Sequence, residues 1–317
     1  MIERLKNAQL PSVMIAGILL VTLVVNIIVQ PTFFTPYALT STIATLVPLV
    51  LIALAQTVVI LGGGIDLSIG ASVTLASTVA VVLMDGDDGR SLLGFVAAVL
   101  VGTACGLVNG LIIAVLRLQP IIATFATSSV FSGLALVVLP KPGGAVPPVL
   151  TGGYRDAIGP IPIVALLLLG SIGLWFVLKR TRLLRHIYAI GGNKDGAYAS
   201  IVPVQRVQIL SYALCGAIGG LVAMALLANS GSGDPFIGLE MMLNSVAAVV
   251  IGGTALTGGR GGGIGSIVGA IVLALIANIV FFAGIPTNYR PLVSGFVIIA
   301  ALSLSALTMR ERRRKTV

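Results

Sequence analysis

Residues 62–77 of the chain read GGGIDLSIGASVTLAS and lie between two long apolar runs. The stretch combines three consecutive glycines, which favour a turn, with one carboxylate, Asp66, and a series of small residues. A carboxylate beside apolar segments of membrane length must be capped, paired or used in function, because an unpaired charge in lipid is costly. The fold therefore depends on whether the flanking runs are membrane spans.

The composition is that of a membrane protein. Of the 317 residues, 57% are hydrophobic and only 9% are charged, and the mean hydropathy is +1.11. A soluble domain carries about a quarter charged residues. We therefore predict an all-α polytopic membrane protein in which residues 1–317 form a single transmembrane domain. The formal net charge of +9 does not indicate nucleic-acid binding, because basic residues cluster beside apolar runs, at 179–206 and 310–315.

Ten apolar segments are long enough to cross a bilayer, which requires roughly 20 residues. The third and eighth are the least regular, so nine spans or one re-entrant segment is the alternative. An even number puts both termini on one side. With the termini in the cytoplasm, 15 of the 19 Lys and Arg residues lie inside, as the positive-inside rule requires. The predicted spans are 11–30, 40–61, 66–84, 92–116, 120–139, 161–178, 208–228, 241–257, 264–283 and 291–309.

The loops predicted outside and inside the cell differ in character. The outer tip Asp85–Asp88 is acidic and is either simply solvated or a docking edge for a soluble partner. Pro140–Pro160 is rich in Pro and Gly, so we expect an irregular exposed loop there. The inside loop 179–207 contains a glycine turn followed by small residues, which predicts a short surface helix. That helix is either part of an ordinary loop or inserts into a partner's groove. A basic tail, 310–317, follows the last span.

Glycines recur every four residues in three of the predicted spans. This spacing places them on one helix face, where two backbones can approach closely. The pattern predicts tight helix packing and does not indicate a substrate. These glycines are Gly102, Gly106 and Gly110 in the fourth span, Gly216 and Gly220 in the seventh, and Gly261, Gly265 and Gly269 at the start of the ninth.

The sequence lacks the residues that catalysis or nucleotide binding requires. The only histidine, His186, lies in a basic loop and is expected to be solvated. Cys105 and Cys215 lie inside apolar runs and are expected to be free buried thiols. No metal-ligand spacing and no phosphate-binding glycine motif occurs, so we predict no catalytic residue, no metal and no cofactor bound by this chain. If the protein uses ATP, another chain must bind it.

Ionisable groups at membrane depth, which are typical of ion-coupled transporters, cannot be placed centrally in any predicted span. The polar residues of the spans are hydroxyls and amides, which suit the passage of a neutral polar solute. Such groups also hydrogen-bond neighbouring helices together, and for any single residue that role is favoured. The candidates for the pathway are Asn109, Thr124, Ser128, Asn244 and Asn278.

Three glycine-containing stretches follow one another in a characteristic order. They are GGIDLSIG at 63–70, YAIGGN at 188–193 with Ala197 and Ala199, and VIGGT at 250–254 followed by Gly258-Gly259. Together they resemble the ribose-type permease subunits of ATP-binding cassette (ABC) sugar importers, within the superfamily of branched-chain amino-acid and ribose permeases. The Gly-Ile-Asp-Leu-Ser match favours a sugar over a branched-chain amino acid. An ion-coupled secondary transporter or a facilitator of a small neutral solute is the other alternative.

The resemblance implies a larger assembly in the bacterial cytoplasmic membrane. Two permease subunits would form the pathway, two cytoplasmic ATPases would hold ATP and Mg²⁺, and an extracytoplasmic binding protein would deliver the sugar. The inside loop would dock on the ATPase, and a bulky residue at Gly192 or Ala197 is expected to uncouple ATPase activity from transport in a folded protein. Lys194, Asp195 and Tyr198 fall at variable positions. The matching residues are Gly191, Gly192, Asn193, Ala197 and Ala199.

The predicted orientation places Asp66 at the cytoplasmic start of the third span. There its carboxylate is expected to cap the helix by accepting backbone N–H bonds, with direct sugar contact as the alternative. Asp66→Asn is then expected to lower stability more than it alters sugar preference. Small residues along the same stretch predict a closely packed helix that takes part in an inner gate. The candidates for this gate are Gly63, Gly64, Asp66, Ser68, Gly70 and Ser72.

Overall fold

The computed structural model describes residues 2–286 and, beyond them, residues 289, 292, 295 and 296. Most of the predicted tenth span, 291–309, and the whole basic tail, 310–317, lie outside the described residues. What was predicted for these two segments stays a prediction.

The described part of the chain consists of α-helices joined by short turns, together with one small hairpin. The hairpin pairs β1 (Ala157–Ile158) with β2 (Ile161–Pro162) in antiparallel register. A 3-10 turn covers Asp88–Arg90. The helices are α1 (Ile2–Val29), α2 (Pro36–Leu61), α3 (Ile69–Met84), α4 (Ser91–Val115), α5 (Pro120–Val138), α6 (Pro148–Arg155), α7 (Ile163–Arg180), α8 (Arg182–Gly192), α9 (Lys194–Ala199), α10 (Val204–Ser230), α11 (Gly238–Ile251) and α12 (Gly263–Phe282).

Six of the described helices are long and apolar enough to cross a membrane, namely α2, α4, α5, α7, α10 and α12. Three shorter apolar helices, Ile15–Val29, Ile69–Met84 and Glu240–Ile251, fall where the first, third and eighth spans were predicted. The chain is therefore a multi-pass helical membrane protein. A total of ten spans and the cytoplasmic location of both termini stay predictions.

The centre of the bundle is formed by α2 and α10. Residues 50–61 of α2 are all buried, as expected for a helix that is apolar on every side and surrounded by other helices. α10 packs against α4, α2 and α3. By contrast, α4, α5 and α7 expose large apolar side chains, among them Leu100, Phe125 and Phe176, as helices that face lipid do.

Glycines bring two pairs of helices into backbone contact, as their spacing predicts. A methyl group on Gly102 or on Gly216 would overlap the backbone of the other, so α4 and α10 touch there. A methyl group on Gly110 would lie 2.8 Å from the Cα of Ile209 in α10. In the same way, Gly265 of α12 abuts Gly252, directly after α11. Packing this close excludes every larger residue from these positions.

Gly261 was wrongly grouped with the helix-packing glycines. It precedes α12, has a φ of +109°, and packs against Thr254 within the turn that follows α11. Its role in the fold is therefore that of a turn glycine, since an L-residue rarely adopts this φ. Gly269, two turns into α12, does contact Ala248 of α11, as predicted.

Several predicted boundaries also need correction. The third span begins at Ile69 instead of Asp66, and α11 ends at Ile251 instead of continuing to 257. Pro140–Pro160 does not form another span, but it is not wholly irregular, because it contains α6 and the first strand of the hairpin. His186, expected in a loop, lies half-buried in α8.

Candidate functional site

The three glycine-containing stretches of the sequence meet at one end of the bundle. α2 ends at Leu61, and the carbonyl oxygen of Leu61 accepts a hydrogen bond of 3.0 Å from the backbone nitrogen of Gly259. A methyl group on Gly258 would lie 2.8 Å from the Cα of Gly63 and 3.0 Å from the Cα of Gly191. We call this contact region, formed by residues 61–64, 191–192 and 252–262, the glycine junction.

Two neighbouring glycines of the junction face different surroundings. A methyl group on Gly191 would overlap the Leu61 carbonyl oxygen and lie 2.6 Å from the nitrogen of Gly259. A methyl group on Gly192 would meet nothing within 4 Å. Gly191 is therefore required by packing inside the chain, whereas Gly192 leaves open space beside the junction.

The segment α8–α9 is firmly attached to the junction. Leu184, Ile187 and Ile190 form the buried face of α8, and the Tyr188 hydroxyl donates a 2.8 Å hydrogen bond to the Gly261 carbonyl oxygen. Burial raises the pKa of Tyr188, so this hydroxyl stays a donor. Asn193 separates the two helices and caps α9, with its side-chain oxygen accepting a 2.9 Å bond from the Gly196 nitrogen.

Exposed apolar side chains lie on the outer side of α9 and in the turn that follows it. Tyr198 is 76% exposed and Ile201 is 92% exposed, whereas Ala197 is 5% exposed and faces the protein. Ile201 has a φ of +61°, a conformation that β-branched residues rarely adopt. The sequence interpretation gave Tyr198 little weight and did not single out Ile201. Tyr198 could have been recognised from the sequence, because it is a large aromatic residue in a short segment of otherwise small and polar residues.

A broad cleft lies between this segment and the neighbouring ends of α4 and α10. Its volume is about 990 Å³. Three basic residues, Arg117, Arg206 and Lys194, and one acidic residue, Asp195, line it, so its walls are basic on balance. Gly192 and Asn193 also line it. Of the predicted coupling residues, Gly192 and Asn193 thus face open space, and Ala199 is also exposed. By contrast, the side chain of Ala197 is buried, and a side chain at Gly191 would point into the protein.

Asp66 lies beside the junction and is buried, with 1% of its surface exposed. Its Oδ1 accepts a 2.8 Å bond from the Ser68 nitrogen and a 2.7 Å bond from the Ser68 hydroxyl. The predicted backbone N–H bond to this carboxylate is present, but Asp66 does not hold the cap position of α3, because Ser68 does and the helix starts at Ile69. The carboxylate instead closes a local turn to the residue two positions ahead, which competes with capping.

A chain of hydrogen bonds continues from Asp66 across three helices. The Asn109 side-chain nitrogen donates 2.6 Å to the Ser68 hydroxyl oxygen, and the Thr127 hydroxyl donates 2.6 Å to the Asn109 side-chain oxygen. Thr124 accepts a 3.0 Å bond from the Leu67 nitrogen. The start of α3 is thereby tied to α4 and α5. We call Asp66, Ser68, Asn109 and Thr127 the aspartate network.

Gln56 of α2 adds a contact that sequence reasoning missed. With its amide nitrogen towards the Asp66 carbonyl and its amide oxygen towards the Asp66 nitrogen, both distances are 3.3 Å. A lone glutamine in the run LIALAQTVVI at 51–60 was the signal that a buried polar partner is required. Asp66 is thus held through its backbone as well as its carboxylate, inside the bundle rather than at its boundary.

The remaining pathway and gate candidates are dispersed. Asn278 ties α12 to α1 through a 3.1 Å bond to the Asn26 side-chain oxygen, so it serves helix packing. Ser128 is half-buried on α5, and Ser72 is buried on α3. Gly70 packs against the Gly238 backbone at the start of α11. Asn244 borders a separate cavity in the opposite half of the bundle.

Both cysteines, Cys105 and Cys215, are free and buried, as predicted. The Cys215 sulfur lies 3.9 Å from Oδ2 of Asp66. Among the residues that the structure describes, no group of three His, Cys, Asp or Glu side chains is arranged to hold a metal ion. The site therefore offers hydrogen bonding and close backbone packing.

Comparison with known proteins bears on what this bundle does. A family model described as the branched-chain amino acid transport system permease component matches residues 38–302. The chain belongs to this permease family. The matched residues include the glycine junction and the aspartate network, so both features lie within what the family model covers.

Similar individual permeases are named for sugars. The ribose import permease protein RbsC of Escherichia coli K12 is 33% identical over 298 residues, covering 90% of each chain. The RbsC protein of Bacillus subtilis is 35% identical over 297 residues, covering 91% of this chain and 90% of its own. The D-allose transport system permease protein AlsC of Escherichia coli K12 is 33% identical over 261 residues, covering 81% and 80%. No solved structure matches the chain.

Proposed function

We propose that the chain is the membrane permease of an ABC importer for a monosaccharide or a related polyol. The observation that carries the proposal is the 33–35% identity to ribose import permeases over about nine-tenths of the chain. The description of the permease family names branched-chain amino acids, so these are the second candidate substrates. Relatives named for ribose and allose favour a sugar.

In the proposed assembly, this chain forms the pathway with a second permease subunit. An extracytoplasmic binding protein delivers the sugar, and separate ATPase subunits bind and hydrolyse ATP with Mg²⁺, while this chain binds no cofactor. Residues 1–317 form one domain that crosses the bacterial cytoplasmic membrane ten times. The distribution of 15 of 19 Lys and Arg residues supports a cytoplasmic position for both termini and for the glycine junction.

The α8–α9 segment is the proposed contact with the ATPase. Tyr198 of this segment and Ile201 in the following turn are exposed to solvent beside the basic cleft, and an apolar side chain in water is stabilised when a partner covers it. Its other side abuts the Leu61 carbonyl through Gly191. A displacement of α8–α9 by the ATPase would therefore act directly on the end of α2, because Gly191 contacts the Leu61 backbone with no side chain in between.

Transport then follows from a shift between two arrangements of the bundle. ATP binding by the partner favours one arrangement only if the partner interacts with it more strongly than with the other. The contacts between α8–α9 and the glycine junction couple that preference to the ends of α2 and α11. The aspartate network joins the start of α3 to α4 and α5. In the shift between the two arrangements, these three segments must either move together or break the hydrogen bonds of the network.

Reconstituted uptake tests the proposed function. The permease, its ATPase and its binding protein are placed in proteoliposomes, and uptake of radiolabelled ribose, allose, fructose, arabinose and leucine is measured. We expect uptake of at least one sugar that requires ATP and the binding protein. Uptake of leucine alone would favour the amino-acid reading. Sugar uptake driven by a sodium or proton gradient without the ATPase would contradict the proposal.

Two substitutions test the docking surface. Tyr198→Ala and Ile201→Asn remove exposed apolar side chains, and Asn is favoured at the positive φ of Ile201, so the fold should be retained. We expect ATPase binding to weaken about tenfold or more in a pull-down or by fluorescence titration. The control is Tyr37→Ala, which removes a tyrosine that is 85% exposed at the start of α2. Equal binding by all three variants would contradict the docking role.

A further inference from the structure

A second cavity lies in the half of the bundle away from the glycine junction. Its volume is about 230 Å³, and it lies between α2, α10, α11 and α12. It is bordered by the first half of α2, the last turn of α10, the first two turns of α11 and the second half of α12. At about 30 Å³ per water molecule in the liquid, this is the space of roughly eight waters or of one small solute.

The polar residues of this cavity have unused hydrogen-bonding groups. Asn229, Glu240 and Asn244 line it, and among the described residues their side chains make no hydrogen bond. The Asn229 backbone carbonyl does accept a bond, but its amide is unpaired. Asn229 and Asn244 are half-buried and Glu240 is exposed, so their polar groups are open to a solute or to water that enters the cavity.

The chemistry of the lining suits a polyhydroxylated solute. Two amides supply donors and acceptors, and the Glu240 carboxylate supplies strong acceptors for hydroxyl groups. Leu273 and Ile276 of α12 supply an apolar wall that fits the C–H face of a sugar ring. A site with few polar groups on a mostly apolar wall is the usual design of a small-molecule pocket.

The short helix α6 joins two walls of the cavity. The Tyr154 hydroxyl donates a 2.7 Å bond to the carbonyl oxygen of Ala44, which precedes the lining residue Thr45 in α2. The Arg155 guanidinium donates a 2.9 Å bond to the carbonyl oxygen of Asn229 in α10. Helix α6 therefore fixes the spacing of α2 and α10 at the rim of the cavity.

We propose that this cavity is a binding site, within a single permease subunit, for one neutral sugar or polyol. Asn229, Glu240 and Asn244 bind its hydroxyl groups, and α6 holds the rim open at a fixed width. The proposal rests on the proposed function and adds a place where the permease itself contacts the solute. Selectivity is then shared between the binding protein and this cavity.

The test uses the complete importer in proteoliposomes, with ribose or whichever of the sugars named above the wild type transports. Asn244→Leu keeps the number and branching of the side-chain heavy atoms and removes the amide, and Glu240→Gln keeps the shape and removes the charge. We expect the maximal uptake rate to fall about tenfold for Asn244→Leu, while ATPase activity stimulated by the binding protein stays within twofold. Glu240→Gln should change the ratio of uptake rates between two sugars. The control is Ser171→Ala on α7, outside the cavity, which removes a hydroxyl that donates to the Leu167 carbonyl oxygen of the same helix.

A second measurement separates a contact from a purely structural role. Asn244→Cys should react with a small membrane-impermeant thiol reagent added from the binding-protein side, and saturating sugar should slow that reaction. Unchanged uptake and unchanged sugar ratios in the variants, with wild-type uptake intact, would overturn the cavity site and leave the proposed function standing. Uptake that depends on sodium in the wild type and loses this dependence in Glu240→Gln would assign the cavity to a cation and also overturn the site. No uptake of any sugar by the wild type would instead contradict the proposed function.

Discussion

The glycine junction and the cavity at the other end of the bundle are built from overlapping helices but are packed in opposite ways. At the junction, the end of α2 contacts Gly191 and Gly259 backbone to backbone, and no side chain separates them. In the opposite half, α2, α11 and α12 leave about 230 Å³ between them. Small residues serve where segments must touch, and polar residues occur where space is left. The glycine junction therefore acts as a clamp that holds one end of the bundle together, while the helices are spaced apart at the other end. Such a bundle can change shape by pivoting at the clamp.

The strongest test of this contrast adds volume at the clamp. Gly191→Leu is expected to destabilise the protein by roughly 3 kcal/mol or more, because the side chain would overlap backbone atoms of Leu61 and Gly259 that have no free direction to move. Thermal unfolding of the purified permease, and its amount in the membrane, measure the effect.

Gly192→Leu is the matched control for this variant. It adds the same volume one residue further on, where the space is open, so the melting temperature should stay near that of the wild type. Under the proposed docking role, its ATPase coupling should be lost. Gly192 is a cleaner position for this test than Ala197, which is buried and cannot be enlarged without disturbing packing. Equal melting temperatures for the two leucine variants would show that the junction is not a clamp.

The second prediction concerns the polar ties beside the clamp. Asp66→Ala removes the acceptor of both Ser68 hydrogen bonds in a buried position, which is expected to cost roughly 1–3 kcal/mol. Asp66→Asn keeps one oxygen as an acceptor, so the loss should be smaller, about 1 kcal/mol. Denaturation of both variants in detergent measures their stabilities and shows which substitution costs more.

The sugar preference of the same Asp66 variants separates a structural role from a direct one. If Asp66 acts through the aspartate network, relative uptake rates for two sugars stay at wild-type values in whatever protein remains folded. A changed sugar preference in a stable Asp66→Asn protein would show that the carboxylate contacts the solute.

The six long spans could be read from the sequence because lipid imposes a long apolar run on every helix that crosses it. The start of α3 could not, because Gly64, Asp66 and Ser68 fit several turn and cap geometries equally well. The choice among these geometries was made by Asn109, a residue 41 positions beyond Ser68 that forms a hydrogen bond with it. Local patterns predict caps well only when no distant side chain competes for the same groups.

The site shows the same division. The three glycine stretches were found by resemblance, but their meeting at one junction depends on how α8, the end of α2 and the turn after α11 fold together. The sequence placed Asn109, Asn244 and Asn278 in one group of pathway candidates. The structure assigns them to a hydrogen-bond network, a cavity and a helix contact, since identical side chains take their role from what faces them.

The third prediction adds volume at the open end. Ala277→Leu places a larger side chain on the wall of the 230 Å³ cavity, so stability should change by less than about 1 kcal/mol. Ala270→Leu, on the same helix at a fully buried position, is the control and should destabilise by about 1–3 kcal/mol. Uptake by Ala277→Leu should fall, because the solute and the new side chain compete for the same space. Undiminished uptake would place the route of the solute elsewhere.

The smallest expected effect concerns Tyr212, at the edge of the clamp. Its hydroxyl is buried, has no hydrogen-bond partner among the described residues, and lies so close to Gly64 that a methyl group there would overlap it. A buried hydroxyl without a partner carries a desolvation cost, so Tyr212→Phe should leave stability unchanged or raise it by up to about 1 kcal/mol. Thermal unfolding of the purified variant measures this directly. Tyr212 also lines a cavity of about 30 Å³, large enough for one water molecule. A loss of more than about 1 kcal/mol in Tyr212→Phe would mean that such a water satisfies the hydroxyl, and that the clamp is sealed by a polar contact as well as by glycine packing.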